Sequence, residues 1–140
     1  MTRTQIRIGI GAGLVALVIV LAFTAVTLAG GRPSSSIEIT VRYSKFAPAN
    51  IAVPVGVPVT ITLRNDDPID HEWIVGGEAV HAFHRVSAEP LHPDRPTEVV
   101  MPAMTSTTTT ITFEDTGTME FICHLPGHEA YGMKGTVTIR

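Results

Sequence analysis

A cluster of soft and borderline metal donors lies late in the chain, in the segment FICHLPGHEAYGMKG. It contains the one cysteine of the sequence, Cys123, followed by His128 and Met133 in the spacing C-x4-H-x4-M. A thiolate, imidazoles and a weak axial thioether are the donors of electron-transfer copper sites, which use two histidines and one cysteine. The segment therefore predicts a copper site that still lacks one histidine.

Four histidines upstream could supply the missing donor. His71 stands between the turn-forming residues NDDPID and the apolar stretch EWIVG, so we expect it where a loop meets a strand. His81, His84 and His92 compete with it from a stretch that shows little alternation. The strand-start position favours His71. The predicted metal-binding residues are His71, Cys123, His128 and Met133.

His124 directly follows the cysteine, and neighbouring side chains of an extended segment point to opposite sides. We therefore predict that His124 does not share the ion of Cys123 and is an exposed or hydrogen-bonded loop histidine. An alternative gives the chain a second, catalytic copper, held by His124 with His81, His84 or His92. The sequence has no H-x-H pair, which speaks against that enzyme.

The stretch between Glu78 and Pro96 contains three histidines and three prolines. We predict a long surface excursion with at most a turn of helix, whose histidines are solvated. A weak secondary metal site or a copper-acquisition site is the alternative.

Segments with an apolar period near two must position the donors. They are rich in Val, Ile, Thr and Phe and are separated by Pro and Gly, which predicts an all-β fold of the antiparallel β-sandwich type. The predicted strands are 37–43, 58–64, 72–76, 97–101, 107–113, 117–123 and 135–140.

The N-terminal segment carries an uncharged apolar run from Ile8 to Ala29, long enough to cross a bilayer as a helix. Arg3 and Arg7 precede the run, so the positive-inside rule places the N-terminus in the cytoplasm. A cleaved signal peptide is the alternative, although its apolar core is usually shorter. We predict an anchor or signal segment at 1–30, a flexible tether at 31–36 and one folded domain at 37–140.

The charge argues against a nucleic-acid-binding protein, and the cysteine content excludes a domain stabilised by an internal disulfide. Arg3 and Arg7 are the only charged residues before Gly31, so the rest of the chain is more acidic than the net charge of −3 for the whole. Such a domain lacks the basic footprint of nucleic-acid binding. A single cysteine cannot form an internal disulfide, although exported domains commonly pair their cysteines.

Two segments together resemble a known family. FAPANIAVPVGVPVTITLRNDDPIDHEW is similar to the opening, and FICHLPGHEAYGMKGTVTI to the closing ligand loop, of the cupredoxins, the small blue copper proteins of the plastocyanin, azurin, auracyanin and rusticyanin type. The resemblance runs from Ile37 to Arg140 and implies a Greek-key β-sandwich with one type 1 copper. It implies the ligands His71, Cys123, His128 and Met133. Glu72 departs from the Asn or Ser of many members, so the resemblance does not fix the reduction potential.

The resemblance implies an electron carrier and not an enzyme. Single electrons would pass between a redox donor and an acceptor that dock weakly near His128, where Leu125, Pro126, Ala130 and Tyr131 offer an apolar surface. A copper storage, delivery or sensing module is the alternative. We expect the copper domain outside the cytoplasmic membrane, anchored through residues 8–29 or secreted after cleavage.

Overall fold

The computed structural model describes residues 35–87, 91–92 and 94–140. Within these ranges the chain forms nine strands and two short helices. The strands are β1 Ser35–Val41, β2 Phe46–Ala47, β3 Asn50–Val53, β4 Pro58–Asn65, β5 His71–Gly76, β6 Glu98–Met101, β7 Ser106–Thr112, β8 Gly117–Ile122 and β9 Lys134–Ile139; the helices are α1 Glu78–Val86 and α2 His128–Tyr131.

The strands form two sheets that share one hydrophobic core. One sheet has the order β2-β1-β4-β7 and the other the order β3-β9-β8-β5-β6. Along β4 every second residue is buried, as expected for a strand with one face against a core. The core cluster joins Ile39, Leu63, Trp73, Phe121 and Val137 from both sheets. The predicted β-sandwich is confirmed.

The pairing of the strands corrects the prediction of a purely antiparallel sandwich. Five of the described pairings are antiparallel, but β1 runs parallel to β4 and β3 runs parallel to β9. Parallel neighbours need a crossover connection, and at least two strands lie between the members of each of these two pairs in the sequence. Apolar alternation along one strand carries no information about such distant pairing.

The region predicted as an irregular excursion contains the nine-residue helix α1. Glu78 in its first turn and His84 and Arg85 in its last turn complement the helix dipole. His81 is fully buried, so the prediction of solvated histidines is wrong for this residue. The side chain of His81 lies between α1 and β8, where Nε2 of its imidazole is 3.3 Å from the backbone carbonyl oxygen of Glu120.

The N-terminal boundary of the sandwich differs slightly from the prediction. β1 begins at Ser35, inside the tether predicted at 31–36. The apolar run 8–29 lies outside the described residues. Within the described ranges, no helix combines the length and the apolar character needed to cross a membrane.

Candidate metal centre

Two neighbouring strands bring His71 and Cys123 to the same end of the sandwich. His71 is the first residue of β5, and Cys123 directly follows β8. These strands pair antiparallel with Ile74 opposite Ile122, so the start of β5 lies beside the end of β8. This register explains how a histidine and a cysteine far apart in the sequence become neighbours.

Three donor atoms converge at this end. Nδ1 of His128 lies 3.3 Å from Nδ1 of His71 and 3.3 Å from Sγ of Cys123. The ligand atoms of the three residues all lie within 4.8 Å of one another. His71 and Cys123 are fully buried, whereas His128 is partly exposed. The cluster therefore has a closed inner side and one imidazole near the surface.

The loop after Cys123 is closed by backbone hydrogen bonds. The N–H of Cys123 donates to the carbonyl of Met133 at 3.2 Å, and the N–H of Met133 donates to the carbonyl of His128 at 2.9 Å. Gly127 and Gly132 flank α2 with φ values of 83° and 91°, which favour glycine. Met133 is fully buried at the end of this loop.

The sulfur of Cys123 accepts a hydrogen bond from the main chain. The N–H of Glu72 lies 3.4 Å from Sγ, so the unusual side chain at this position does not remove the contact. Burial raises the pKa of the Cys123 thiol, and the N–H groups of Glu72 and Leu125 oppose this without cancelling it. The thiol of the metal-free chain therefore keeps its proton at neutral pH.

Asp67 orients the imidazole of His71, a role that the sequence interpretation missed. Its Oδ2 lies 3.0 Å from Nε2 of His71, and its two oxygens accept the N–H groups of Tyr43 and Ser44 at 2.7 Å. Burial raises the pKa of Asp67, but these hydrogen bonds lower it by more. The ionised carboxylate keeps the proton on Nε2, so Nδ1 of His71 presents a lone pair to the cluster.

Asn65 fixes the loop that carries Asp67. Its Nδ2 donates to the carbonyls of Ile69 and Met101 at 2.8 and 2.9 Å, and its Oδ1 accepts the N–H of Asp67 at 3.0 Å. The residue is almost fully buried. The letters NDDPID predicted a turn, and an Asp four residues before a histidine was the available signal for a carboxylate contact.

The other histidines lie outside this cluster. His92 contacts the carboxylate of Glu98 at 3.1 Å. His81 and His84 of α1 lie against the ring of His124 instead. Nε2 of His124 is hydrogen-bonded to Nδ1 of His81 at 3.0 Å, as expected for a hydrogen-bonded loop histidine, and its side chain is only 4% exposed.

The ionisation state and the donor types fit copper. Burial and the neighbouring His71 lower the pKa of His128, against an opposing effect of Asp67, so its imidazole is neutral near pH 7. A buried thiol, two imidazole nitrogens and a buried thioether residue at the end of the loop form the donor set that soft and borderline ions prefer. Harder ions such as Mg²⁺ would require oxygen ligands, which this cluster lacks.

The sandwich and its cluster define a small β-sandwich protein of the metal-binding class, with two imidazoles and one thiol at one end of its sheets. Residues 13–139 match the family model described as the Cupredoxin-like domain, and the chain belongs to the cupredoxin family.

Relatives of known character span most of the chain. The copper-resistant cuproprotein CopI of Pseudomonas aeruginosa is 26% identical over 139 residues, which cover 76% of this chain and 77% of that protein. CopI of Rubrivivax gelatinosus is 34% identical over 100 residues, covering 69% of this chain and 60% of that protein. The structure of reduced auracyanin from Roseiflexus castenholzii superposes with a TM-score of 0.65 and 29% identity, over 79% of this chain and 99% of that one.

Proposed function

We propose that this domain is a type 1 copper protein that carries single electrons between redox partners. The convergence of Nδ1 of His71, Sγ of Cys123 and Nδ1 of His128 carries the proposal. Met133 would supply a thioether as the fourth donor, because it is buried and its carbonyl accepts a hydrogen bond from the N–H of Cys123. The similarity to auracyanin supports the same class of function.

Copper bound here would supply a one-electron couple between Cu(I) and Cu(II). Asp67 contacts the ring of His71 and the N–H of Glu72 contacts the sulfur, and these contacts would hold the donors in one arrangement for both copper states. The closed loop between Cys123 and Met133 adds a third restraint. A restrained donor set lowers the rearrangement that accompanies electron transfer, which is the requirement for a fast carrier.

Electrons would enter and leave through the ring of His128, which is the partly exposed donor. Pro126, Ala130 and Tyr131 are exposed around it, and Tyr131 has 61% of its surface accessible. Such a small apolar surface suits the weak, brief docking of a carrier. The proposed location is outside the cytoplasmic membrane, anchored through residues 8–29 or released by cleavage.

Copper handling during copper resistance is a second candidate function. The observation that favours it is the similarity to two copper-resistant cuproproteins from different bacteria. The same donors would then bind copper for storage or delivery, and the rate of electron exchange would not matter.

Spectroscopy on the purified full chain tests the proposed site. After addition of Cu(II), we expect an intense visible band from thiolate-to-copper charge transfer and an EPR spectrum with narrow copper hyperfine splitting. Cys123→Ser should abolish the band, whereas His92→Gln, which changes a histidine outside the cluster, should leave it intact. A colourless wild type would rule out the type 1 site.

Voltammetry separates the two candidate functions. Reversible one-electron waves with fast exchange support the electron carrier. A chain that holds only Cu(I) and transfers it to a chelator, without reversible waves, supports copper handling.

A further inference from the structure

The two tyrosines of the chain are both exposed, and a cation lies over the ring of each. Tyr43 has 71% of its surface accessible and Tyr131 has 61%. The guanidinium carbon of Arg42 lies 4.9 Å from the ring centroid of Tyr43, and the ammonium nitrogen of Lys45 lies 4.0 Å from that of Tyr131. Both distances are within the range of cation–π attraction. These four residues, Arg42, Tyr43, Lys45 and Tyr131, form a surface that we call the cationic face.

The cationic face adjoins the partly exposed imidazole of His128. His128 and Tyr131 are the first and last residues of α2, three positions apart, so their side chains lie on the same side of the helix. At the other end of the face, the N–H of Tyr43 donates to Oδ1 of Asp67, the carboxylate behind the second imidazole of the metal centre. Lys45 joins the two parts, because its ammonium donates a hydrogen bond to the carbonyl of Tyr131. The face is therefore continuous with the proposed route for electrons.

Local backbone geometry fixes the position of the ammonium group of Lys45. A Cβ on Gly132 would lie only 3.0 Å from Nζ of Lys45, so the bare glycine leaves the space in which the ammonium reaches the carbonyl of Tyr131. The turn that carries Lys45 is closed by reciprocal main-chain hydrogen bonds with Arg42, at 3.1 and 3.2 Å. A charged side chain that is already held in place loses little conformational entropy when a partner binds.

The carboxylates at this end of the sandwich already have partners. Each of them contacts a cation, an imidazole or a main-chain N–H, and they are Asp66, Asp67, Asp70, Glu72 and Glu129. In the part of the chain that the structure describes, no carboxylate pairs with Arg42 or Lys45. A guanidinium and an ammonium carry several N–H donors each, so donors remain for an acceptor on another molecule.

The charge of the whole chain has the opposite sign to that of the cationic face. The formal net charge is −3, so the protein as a whole repels an acidic partner at long range. Two cations beside the exposed imidazole reverse this sign locally and favour the orientation in which His128 faces the partner. An anionic lipid surface fits less well, because it would oppose the whole acidic domain and two cations offset little of that repulsion.

We propose that the cationic face binds the carboxylates of an acidic redox partner and so selects the proteins that exchange electrons through His128. Such selection rests on the proposed electron-transfer function and adds the charge of the partner to it. Arg42 and Lys45 receive the carboxylates, and the rings of Tyr43 and Tyr131 supply flat contact surfaces beside them.

Anion binding to the metal-free full chain tests the face without copper. Hexacyanochromate(III) is a redox-inert, paramagnetic trianion that broadens the NMR signals of nearby amides. In neutral detergent micelles we expect broadening at Tyr43 and Tyr131, its loss in the double variant Arg42→Gln/Lys45→Gln, and displacement of the probe by a hexa-aspartate peptide. Broadening that survives the double variant, or displacement by glycerol phosphate but not by the peptide, would overturn the proposal.

Arg140→Gln is the matched control for the loss of one positive charge. Arg140 is exposed and follows the end of β9, whose first residue directly follows Met133, so it lies at the end of the sandwich remote from the metal centre. The broadening near Tyr131 should persist in this variant and in Lys45→Arg, which keeps the charge. An equal loss in Arg140→Gln would show that the probe senses only the net charge and would contradict the cationic face.

Electron transfer to small charged oxidants tests the same face in the copper-loaded chain. One electron passes from Cu(I) to the Fe(III) of hexacyanoferrate(III), a trianion, or to the Co(III) of tris(phenanthroline)cobalt(III), a trication. Despite the net charge of −3, the rate with the trianion should fall as salt is added. Lys45→Gln should lower that rate about 3- to 10-fold at low salt without lowering the rate with the trication. Arg140→Gln should change the rate with the trianion less than about twofold.

The visible band separates a failure of this proposal from a failure of the proposed type 1 site. Lys45→Gln changes none of the donors, so its band should match that of the wild type and shows that the variant folds. A normal band together with a trianion rate that rises with salt would overturn the cationic face alone. If the wild type shows no band, the binding of hexacyanochromate(III) still decides whether the face takes anions.

Discussion

The carboxylate of Asp67 joins the imidazole of His71 to the turn at Tyr43 and Ser44. Oδ2 contacts both Nε2 of His71 and the N–H of Ser44, while Oδ1 accepts the N–H of Tyr43. Tyr43 and Ser44 have φ values of 55° and 53°, which are unusual for residues other than glycine. One side chain thus holds a strained turn and a proposed metal ligand in a fixed relation.

Replacing Asp67 with Asn should weaken copper binding and the fold together. An amide offers one acceptor oxygen, so at least one N–H of the turn or the ring of His71 loses its partner. We expect copper affinity to fall about 10- to 100-fold. We also expect the free energy of unfolding to fall by about 1–3 kcal/mol. Chelator competition and urea unfolding measure the two effects.

Asp66→Asn is the matched control for this change. Asp66 precedes Asp67, but among the contacts described its carboxylate pairs only with the exposed Arg64, at 3.5 Å. Exposed ion pairs contribute at most about 1 kcal/mol, so this variant should bind copper like the wild type. Equal losses in the two variants would contradict the orienting role of Asp67.

Metal binding at Cys123 should release a proton. Burial raises the pKa of the thiol, so the metal-free chain is protonated at this residue between pH 7 and 8, and a bound ion requires the thiolate. The affinity should therefore rise about tenfold per pH unit in this range, where the imidazole of His128, whose pKa is lowered, is already neutral. Titration with Co²⁺, followed by its thiolate charge-transfer band, measures the slope.

His124→Gln should keep that slope, because the change lies outside the three converging donors. An affinity that stays constant between pH 7 and 8 would mean that the thiol is already ionised in the metal-free chain.

Glu98 should stabilise the fold at neutral pH and lose its effect in acid. Burial raises its pKa, but the contacts with Arg95, His92 and His84 lower it by more, from the ordinary 4.5 to about 2. A lowered pKa in the folded state contributes stability above pH 4.5, and this contribution disappears as the pH falls towards 2. Glu98→Gln should cost about 1–3 kcal/mol at pH 7.

Urea unfolding of the wild type and Glu98→Gln at several pH values measures this difference. The two unfolding free energies should approach each other below pH 4.5. A gap that stays constant down to the acid transition would show that the glutamine disturbs packing and not charge.

Gly135 should tolerate no side chain. A Cβ at this position would meet the carbonyl oxygen of Ala49 and the ring of Phe121, and that carbonyl already accepts the N–H of Thr136. Gly135→Ala should lower the free energy of unfolding by about 2–3 kcal/mol. Gly77→Ala is the control, because its Cβ meets open space and its φ of −84° suits any residue. Similar losses in both variants would contradict the close approach at Gly135.

Local patterns were sufficient to predict the sandwich and the converging donors. Seven strands follow from apolar alternation, and Cys123, His128 and Met133 lie close in the sequence because one loop carries them. His71 could be selected because it begins a strand. The proximity of His71 to Cys123 follows from the antiparallel register of β5 and β8.

Features that depend on distant contacts were not predictable in the same way. The short strand β3 pairs parallel with β9, and nothing in the letters NIAV specifies that partner. The role of Asp67 requires the left-handed turn at Tyr43, 24 residues away in sequence. His81 is buried only because α1 lies against β8 and the ligand loop. In each case the residue contacts a segment that is distant in the sequence, and a local pattern does not specify which distant segments meet.

The parallel pair of β3 and β9 also sets the order in which the chain can mature during synthesis. Asn50 lies opposite Thr136, 86 residues further along, and β3 has no other partner strand in its sheet. The ribosome must therefore release the whole loop between Cys123 and Met133, and β9 after it, before β3 can pair with β9. A nascent chain that exposes Cys123 without β9 has neither a finished sheet nor His128 held beside the sulfur. Completion of the sheet and closure of the loop between Cys123 and Met133 thus both depend on the last segment of the chain to be made.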